Sequence, residues 1–283
     1  MTVNDYKKLF QLVLPEFYDD MERSTIFYWV MEFVLEYTKV TAVLNGNESI
    51  SDENQSKINQ IIHRLQNNEP IQYITGKGYF FGYEFKVTSA TLIPRPETEE
   101  LVDWVLTEMK KKPSKKWRIL DIGTGTGCIP ITIKKEFPLA EVSAIDVSTE
   151  ALKVATENAK QLNAEVTFME KDILVVKDLD TYDIIISNPP YVRNLEKVEI
   201  KENVLQHEPH LALFVDDNDP LIFYKKITQL AHQSLADDGM LFFEINQYLG
   251  NETQEMMQPY FKNITLQTDF MSNNRMMKAQ NKL

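Results

Sequence analysis

The residues best suited to chemistry in this chain are Asn188, Pro189, Pro190 and Tyr191, consecutive in the sequence. They follow Tyr182-Asp183-Ile184-Ile185-Ile186-Ser187, a short apolar run that reads as a buried parallel strand. Neither proline offers a ladder N–H, so the chain must leave the sheet at Asn188. In an open α/β sheet the carboxyl end of a strand is where ligands bind. An amide side chain, rigid carbonyls and an aromatic ring are thus presented together at an active-site edge.

A second stretch, Asp121-Ile122-Gly123-Thr124-Gly125-Thr126-Gly127, sits at an earlier strand-to-helix turn. Its glycines permit a tight turn and close approach of backbone to a ligand. There is no Gly-Lys-Ser/Thr, so it is not a P-loop, and its third glycine comes one residue too early for G-x-G-x-x-G. That favours a nucleoside cofactor lacking a pyrophosphate, such as S-adenosylmethionine, over NAD. Asp146 ends the next strand, roughly 20 residues beyond the loop, where an acid can accept from both ribose hydroxyls. Asp172 ends the third strand and is placed to accept from an exocyclic amine such as that of adenine.

The elements that must hold these loops follow from pattern. Strands are predicted at Trp117–Ile122, Glu141–Val147, Glu165–Met169, Tyr182–Ser187 and Met240–Ile245, alternating with helices through about Glu136, from Ser148 to Leu162 and from Pro220 to Leu235. A last helix near Thr253–Tyr260 precedes strand candidates at Ile264–Phe270 and Arg275–Ala279. Such alternation implies a doubly wound sheet with right-handed crossovers. Val192 to His207 is polar and poorly patterned. Upstream, Ile26, Phe27, Trp29, Val30, Phe33, Val34 and Tyr37 recur at helical spacing, as do Ile58, Ile61, Ile62 and Leu65, so the first part reads as a small helical bundle. Aromatics punctuated by glycines from Ile71 to Val87 predict a hairpin between the two domains. Leu92-Ile93-Pro94-Arg95-Pro96-Glu97-Thr98-Glu99 then opens an amphipathic helix, with Arg95 held between prolines and acids in the first turn.

Composition narrows the partners. The 283 residues carry 30 Lys+Arg against 42 Asp+Glu, a net charge of −12 that would repel a phosphate backbone. Cys128 is the single cysteine, so no intrachain disulfide forms, and its place just inside a helix makes it a small apolar residue rather than a nucleophile. His207 and His210 have no third ligand nearby, and no metal site is expected. There is no basic-then-apolar leader and no apolar run of membrane length; a cytoplasmic protein is the expectation.

A glycine loop of this kind followed by Asn-Pro-Pro-Tyr resembles the methyltransferases that act on planar amide or amino nitrogens. Gln72-Tyr73-Ile74-Thr75-Gly76, Pro94-Arg95-Pro96-Glu97-Thr98-Glu99, Glu208-Pro209 with Ala212-Leu213-Phe214, and the late Asp269 and Arg275 extend the likeness. Together they resemble the peptide chain release factor glutamine-N5 methyltransferases of the HemK/PrmC type, over nearly the whole chain. The resemblance implies an α/β fold: a Rossmann-like, seven-stranded class I methyltransferase sheet, residues 91–283, with an N-terminal helical domain that binds release factors, residues 1–70, and a hairpin linker, residues 71–90. It implies S-adenosyl-L-methionine as cofactor, S-adenosyl-L-homocysteine as product and a release-factor protein as substrate; from the charge no direct nucleic-acid contact is expected, and a monomer is the expectation for the assembly. The cofactor residues it carries over are Gly123, Thr124, Gly125, Thr126, Gly127, Asp146 and Asn188, with Asp172 and Ile173 near the adenine.

In this reading Asn188, Pro189, Pro190 and Tyr191 are catalytic and bind the substrate together with Arg95. An amide nitrogen is a poor nucleophile because its lone pair is delocalised. A site helps by accepting both N–H hydrogens, one on the Asn188 side-chain oxygen and one on the Pro189 carbonyl, while Tyr191 packs on the planar amide. No strong base is required, because the alkylated nitrogen becomes acidic. The same tetrapeptide would serve a DNA or RNA adenine or cytosine amino-methyltransferase, which the acidic charge and the lack of a basic target-recognition insert disfavour. A catalytically silent cofactor-binding scaffold is the third alternative.

Overall fold

The computed structural model describes residues 1–283, which divide into two compact units. The first comprises residues 1–76 and 200–207. Its helices are α1 (Val3–Val13), α2 (Asp20–Leu35), α3 (Lys39–Leu44), α4 (Asp52–Gln66) and α5 (Ile71–Thr75), joined by the later helix α9 (Glu202–His207). Their starts are written locally: Thr2 with Asp5, and Asp19 with Glu22, form capping boxes, and Ser51 caps α4. Tyr6, Phe10, Phe27, Val30, Ile58 and Leu65 form the buried centre. Phe33 was expected on the inner face of α2 but is exposed, because that helix carries apolar residues around more of its circumference than the bundle covers.

Two expectations are corrected, one in this unit and one on residues 192–207, of which 192–199 belong to the second unit. Ile71–Thr75 is a helical turn, not part of the hairpin: Ile71 and Ile74, three apart, both enter the helical core, and Gly76 ends the turn with φ +70°. Residues 192–207 hold regular structure, with a strand β7 (Val192–Arg193), a 3₁₀ turn (Asn194–Glu199) and α9. Helix α9 stays polar because side-chain bonds hold it: Glu202 accepts from the Asn68 amide, Lys201 pairs with Glu22 at 2.7 Å, and the His207 ring meets the Asn67 carbonyl.

The second unit, residues 77–199 and 208–283, opens with the hairpin β1 (Lys77–Phe80) and β2 (Tyr83–Lys86). Its two turn residues, Phe81 and Gly82, both have positive φ, the type that matches strand twist. Phe80 and Phe85 are fully buried in the core of this unit, each contributing about 2–3 kcal/mol of apolar burial. They anchor the hairpin there and form no wall of the ligand cleft described below.

Helix α6 (Pro96–Lys110) follows, then β3 (Arg118–Ile122), α7 (Cys128–Glu136), β4 (Glu141–Asp146), α8 (Thr149–Gln161), β5 (Thr167–Glu170) and β6 (Tyr182–Ser187). After β7 and α9 come α10 (His210–Leu213), β8 (Phe214–Val215), α11 (Ile222–Ser234), β9 (Leu235–Glu244), α12 (Gly250–Met257), β10 (Phe261–Thr268) and β11 (Asn274–Lys282). Seven strands make one sheet in the order β10-β11-β9-β6-β3-β4-β5, parallel from β9 to β5, with β11 antiparallel to both β9 and β10.

Side chains alternate across this sheet. Ile184 and Ile186 enter one core with α6 and α7, whereas Ile185 enters the other with Tyr224 and Ile227 of α11. The chain winds outward from β3 to β4 and β5 in one direction, and from β6 to β9 in the other. The strand order therefore reverses between β3 and β6, and the crevice at their carboxyl ends is the expected ligand position.

Candidate active site

Ile122 is paired in register with Ser187, whose hydroxyl donates to the Ile122 carbonyl at 2.7 Å. The glycine loop and Asn188 thus leave adjacent strands at the same level. A Cβ on Gly123, which has φ +78°, would stand 3.9 Å from the Asn188 carbonyl oxygen. The loop is fixed from the other side by Asp146. One Asp146 oxygen accepts from the Gly125 N–H at 2.9 Å, and the other accepts from the Ser148 N–H at 2.9 Å. Gly127, at φ +79°, closes the turn where α7 starts, and a Cβ there would meet Ile131 Cδ1 at 2.9 Å and Ala155 Cβ at 3.1 Å. Only glycine satisfies both the backbone angle and the approach of α8.

Gly123, Thr124, Gly125, Thr126, Asp146, Asp172, Ile173, Arg95, Asn188, Pro189 and Pro190 all border one cleft. Asp172 uses one oxygen to accept from the Leu174 N–H at 2.9 Å, and Ile173 is buried as a side wall. Asp121, the last residue but one of β3, is wholly buried, and the Thr124 hydroxyl is the one side-chain donor near enough to act on its carboxyl, without closing a well-formed hydrogen bond. Burial, reinforced by the neighbouring Asp146 charge, pushes the Asp121 carboxyl up to about 7. A buried acid without a full set of partners, directly behind the glycine loop, suits a neighbouring ligand that brings cationic or donor groups, as S-adenosylmethionine does with its sulfonium and ammonium. Burial also pushes the Cys128 thiol up to about 12, consistent with a packing role.

The tetrapeptide is held by the end of β9. Asn188 donates its side-chain N–H to the Thr98 hydroxyl at 3.2 Å, and Thr98 donates onward to Glu244 Oε2 at 2.6 Å. Tyr191 donates its hydroxyl to Glu244 Oε1 at 3.0 Å, and its carbonyl accepts from the Asn246 amide at 2.9 Å. Glu244, which ends β9, and Asn246, two residues beyond it, therefore grip Tyr191 at both extremities. Tyr191 packs with the core rather than bordering the cleft. Burial raises the Glu244 carboxyl above its ordinary value, opposed by the Thr98 and Tyr191 bonds and the Arg275 charge. Arg275 is itself paired with Asp269 at 3.1 Å, the two late residues singled out in the sequence.

Arg95 borders the cleft, but its guanidinium is engaged with Glu208 Oε1 at 2.5 Å, while Glu208 Oε2 accepts from the Ile93 N–H. The Pro94-Arg95-Pro96 run is thereby clamped to the segment that opens α10.

Two family models match the chain: Methyltransferase small domain over residues 102–212 and PrmC N-terminal domain over residues 13–76. The chain is 49% identical to the release factor glutamine methyltransferase of Flavobacterium psychrophilum, over 99% of both chains. It is 46% identical to the one of Bacteroides thetaiotaomicron, covering 80% of this chain and 81% of that protein. The chain belongs to the release factor glutamine methyltransferase family. Among solved structures, the fold resembles the T. Thermophilus 16S rRNA methyltransferase RsmC in complex with AdoMet and guanosine, with a TM-score of 0.51 at 15% identity, covering 72% of this chain and 49% of that one.

For a member of the release factor glutamine methyltransferase family, sequence reasoning located both loops and their acids but missed four supporting residues. Thr98 was noted only within a helix start, and Glu244 and Asn246 only within and just after a strand. Asn158 went unremarked; it is fully buried, donates to the Lys86 and Thr126 carbonyls and accepts from the Lys86 N–H, joining β2 to the glycine loop. The available signal was a polar residue at a position that the pattern made apolar: Glu244 follows Leu241-Phe242-Phe243, and Asn158 lies on the buried face of α8 with Ala151, Val154 and Ala155.

Proposed function

We propose that this protein transfers a methyl group from S-adenosylmethionine to the side-chain amide nitrogen of the glutamine in the Gly-Gly-Gln loop of peptide chain release factors. The observation that carries the reading is the adjacency of the glycine loop and Asn188 across the β3–β6 reversal, in a chain of this family. Bound S-adenosylmethionine supplies an electrophilic methyl group. Gly123 to Gly127 and Asp146 would hold it, with Asp172 and Ile173 at the adenine. Asn188 would accept one substrate N–H on its side-chain oxygen and Pro189 the other on its carbonyl, both held rigid by the two prolines. The amide nitrogen is thereby oriented toward the methyl, and its charge on alkylation is met by fixed acceptors. Water or solvent takes the proton afterwards.

The N-terminal helical unit serves in this reading as the release-factor-binding domain, and the enzyme works as a cytoplasmic monomer without nucleic-acid contact. No helix is long and apolar enough to cross a membrane. The decisive assay incubates the protein with labelled S-adenosylmethionine and either release factor or nucleic acid. Label on the release factor is expected. Label on nucleic acid alone would sink the proposal, and no label on either would mark a silent scaffold.

A further inference from the structure

Asn188 can serve as an acceptor only if its carboxamide is turned the right way round, because the two ends of the group have nearly the same shape and opposite hydrogen-bonding character. The surroundings of Asn188 contain a device that decides this. Thr98 sits in the first turn of α6 and is 3% exposed; Glu244 ends β9 and is 1% exposed. The hydroxyl of Thr98 has a single hydrogen, and 2.6 Å away lies Glu244 Oε2. An ionised carboxylate only accepts, so that hydrogen goes to Glu244. The hydroxyl then has only lone pairs left for Asn188, 3.2 Å away, and only the NH₂ end of the amide can meet them. Its oxygen is left for the cleft that Asn188 borders.

We propose that Thr98 and Glu244 are positioning residues that set the orientation of the Asn188 amide, so that its oxygen and not its nitrogen faces the substrate. The polarity of the chain runs one way, from Asn188 N–H to Thr98 and from Thr98 O–H to Glu244. The second Glu244 oxygen accepts from the Tyr191 hydroxyl, which holds the carboxylate in place, and the Tyr224 hydroxyl donates to the Glu244 backbone carbonyl. Three elements distant in sequence, the starts of α6 and of the post-β6 loop and the end of β9, converge on this one orientation. The bonds of Arg95 and Ile93 to Glu208 hold the segment that leads into α6, three residues before Thr98. This inference rests on the acceptor role assigned to Asn188 above.

The test compares Thr98→Val, Thr98→Ser and Glu244→Gln with the wild-type protein, with Asn188→Ala as control, in steady-state methyl transfer to a release factor and in calorimetric S-adenosylmethionine binding. Thr98→Val keeps the shape of the side chain but removes the hydroxyl. Losing one orienting hydrogen bond is expected to lower kcat about tenfold. Cofactor Kd and the KM for release factor should stay within about twofold. Thr98→Ser, which restores the hydroxyl, should recover most of the rate. Glu244→Gln can donate to Thr98 and reverse the polarity of the chain, and should slow turnover in the same way. Wild-type kcat in Thr98→Val, or a Thr98→Ser variant as slow as Thr98→Val, would overturn the inference. If Thr98→Val does not fold, undiminished kcat in Glu244→Gln overturns it equally. Full turnover in Asn188→Ala would instead refute the acceptor role itself, whatever the Thr98 variants do.

Discussion

The Thr98 hydroxyl stands 2.6 Å from Glu244 Oε2, across a sequence separation of 146 residues, and receives the Asn188 amide on its other side. The site tetrapeptide is therefore not a free-standing loop. Its first residue is tied to a helix start and its last to a strand end, and both ties meet on one buried carboxylate.

Removing the amide should separate chemistry from binding. Asn188→Ala is expected to lower kcat by about 10²–10³, the effect of losing one group preorganised for the transition state. The cofactor Kd by calorimetry should rise by no more than about fivefold, since Asn188 is one cofactor residue among several and the glycine loop and Asp146 remain.

Asp146 should show the reverse. Asp146→Ala deletes the acceptor of the Gly125 and Ser148 N–H groups as well as the expected ribose contact. Cofactor affinity should fall by at least tenfold, and the unfolding free energy by about 1–3 kcal/mol, measured in urea.

Gly127 is constrained from two directions. Gly127→Ala forces a side chain into φ +79° and onto Ile131 and Ala155. A loss of about 1–3 kcal/mol is expected, with a lower melting temperature and weaker cofactor binding through the displaced α7 start.

Asp121 gives a pH signature opposite to that of a paired carboxylate. Its folded-state value of about 7 lies above the ordinary 3.8, so the folded protein holds this proton more tightly than the unfolded chain. Stability from this group is complete below the unfolded value and is lost as pH rises toward 7. Asp121→Asn removes that ionisation. The melting temperature of the variant relative to the wild-type protein should therefore be higher at pH 8 than at pH 5, in the absence of cofactor.

The sheet was legible because its central strands are uninterrupted apolar runs ended by glycine, aspartate or proline. Ile184, Ile185 and Ile186 announce burial on both faces, and Pro189 fixes where the strand must stop. The start of β9 was not legible: Asp237, Asp238 and Gly239 interrupt it, yet the strand runs from Leu235 because its edge pairs with Tyr182 ahead of the irregularity. Helix α9 was hidden because its bonds go to Asn67, Asn68 and Glu22, more than a hundred residues away, and leave no local periodicity. Within the site, turn chemistry revealed the glycine loop and the tetrapeptide. The expectation that Tyr191 lies against the substrate came from its ring alone; the bond from its hydroxyl to Glu244 is a long-range pairing that no spacing rule encodes. Arg95 showed the same limit, since its partner Glu208 is 113 residues distant.

The central claim is methyl transfer to one glutamine nitrogen, and peptide mass spectrometry of a release factor after incubation with the protein and S-adenosylmethionine tests it most directly. The account predicts a single methyl increment on the peptide containing Gly-Gly-Gln, located on the glutamine by fragmentation and absent when that glutamine is replaced. A methyl group on any other residue, or an unmodified Gly-Gly-Gln peptide after prolonged incubation, would contradict it.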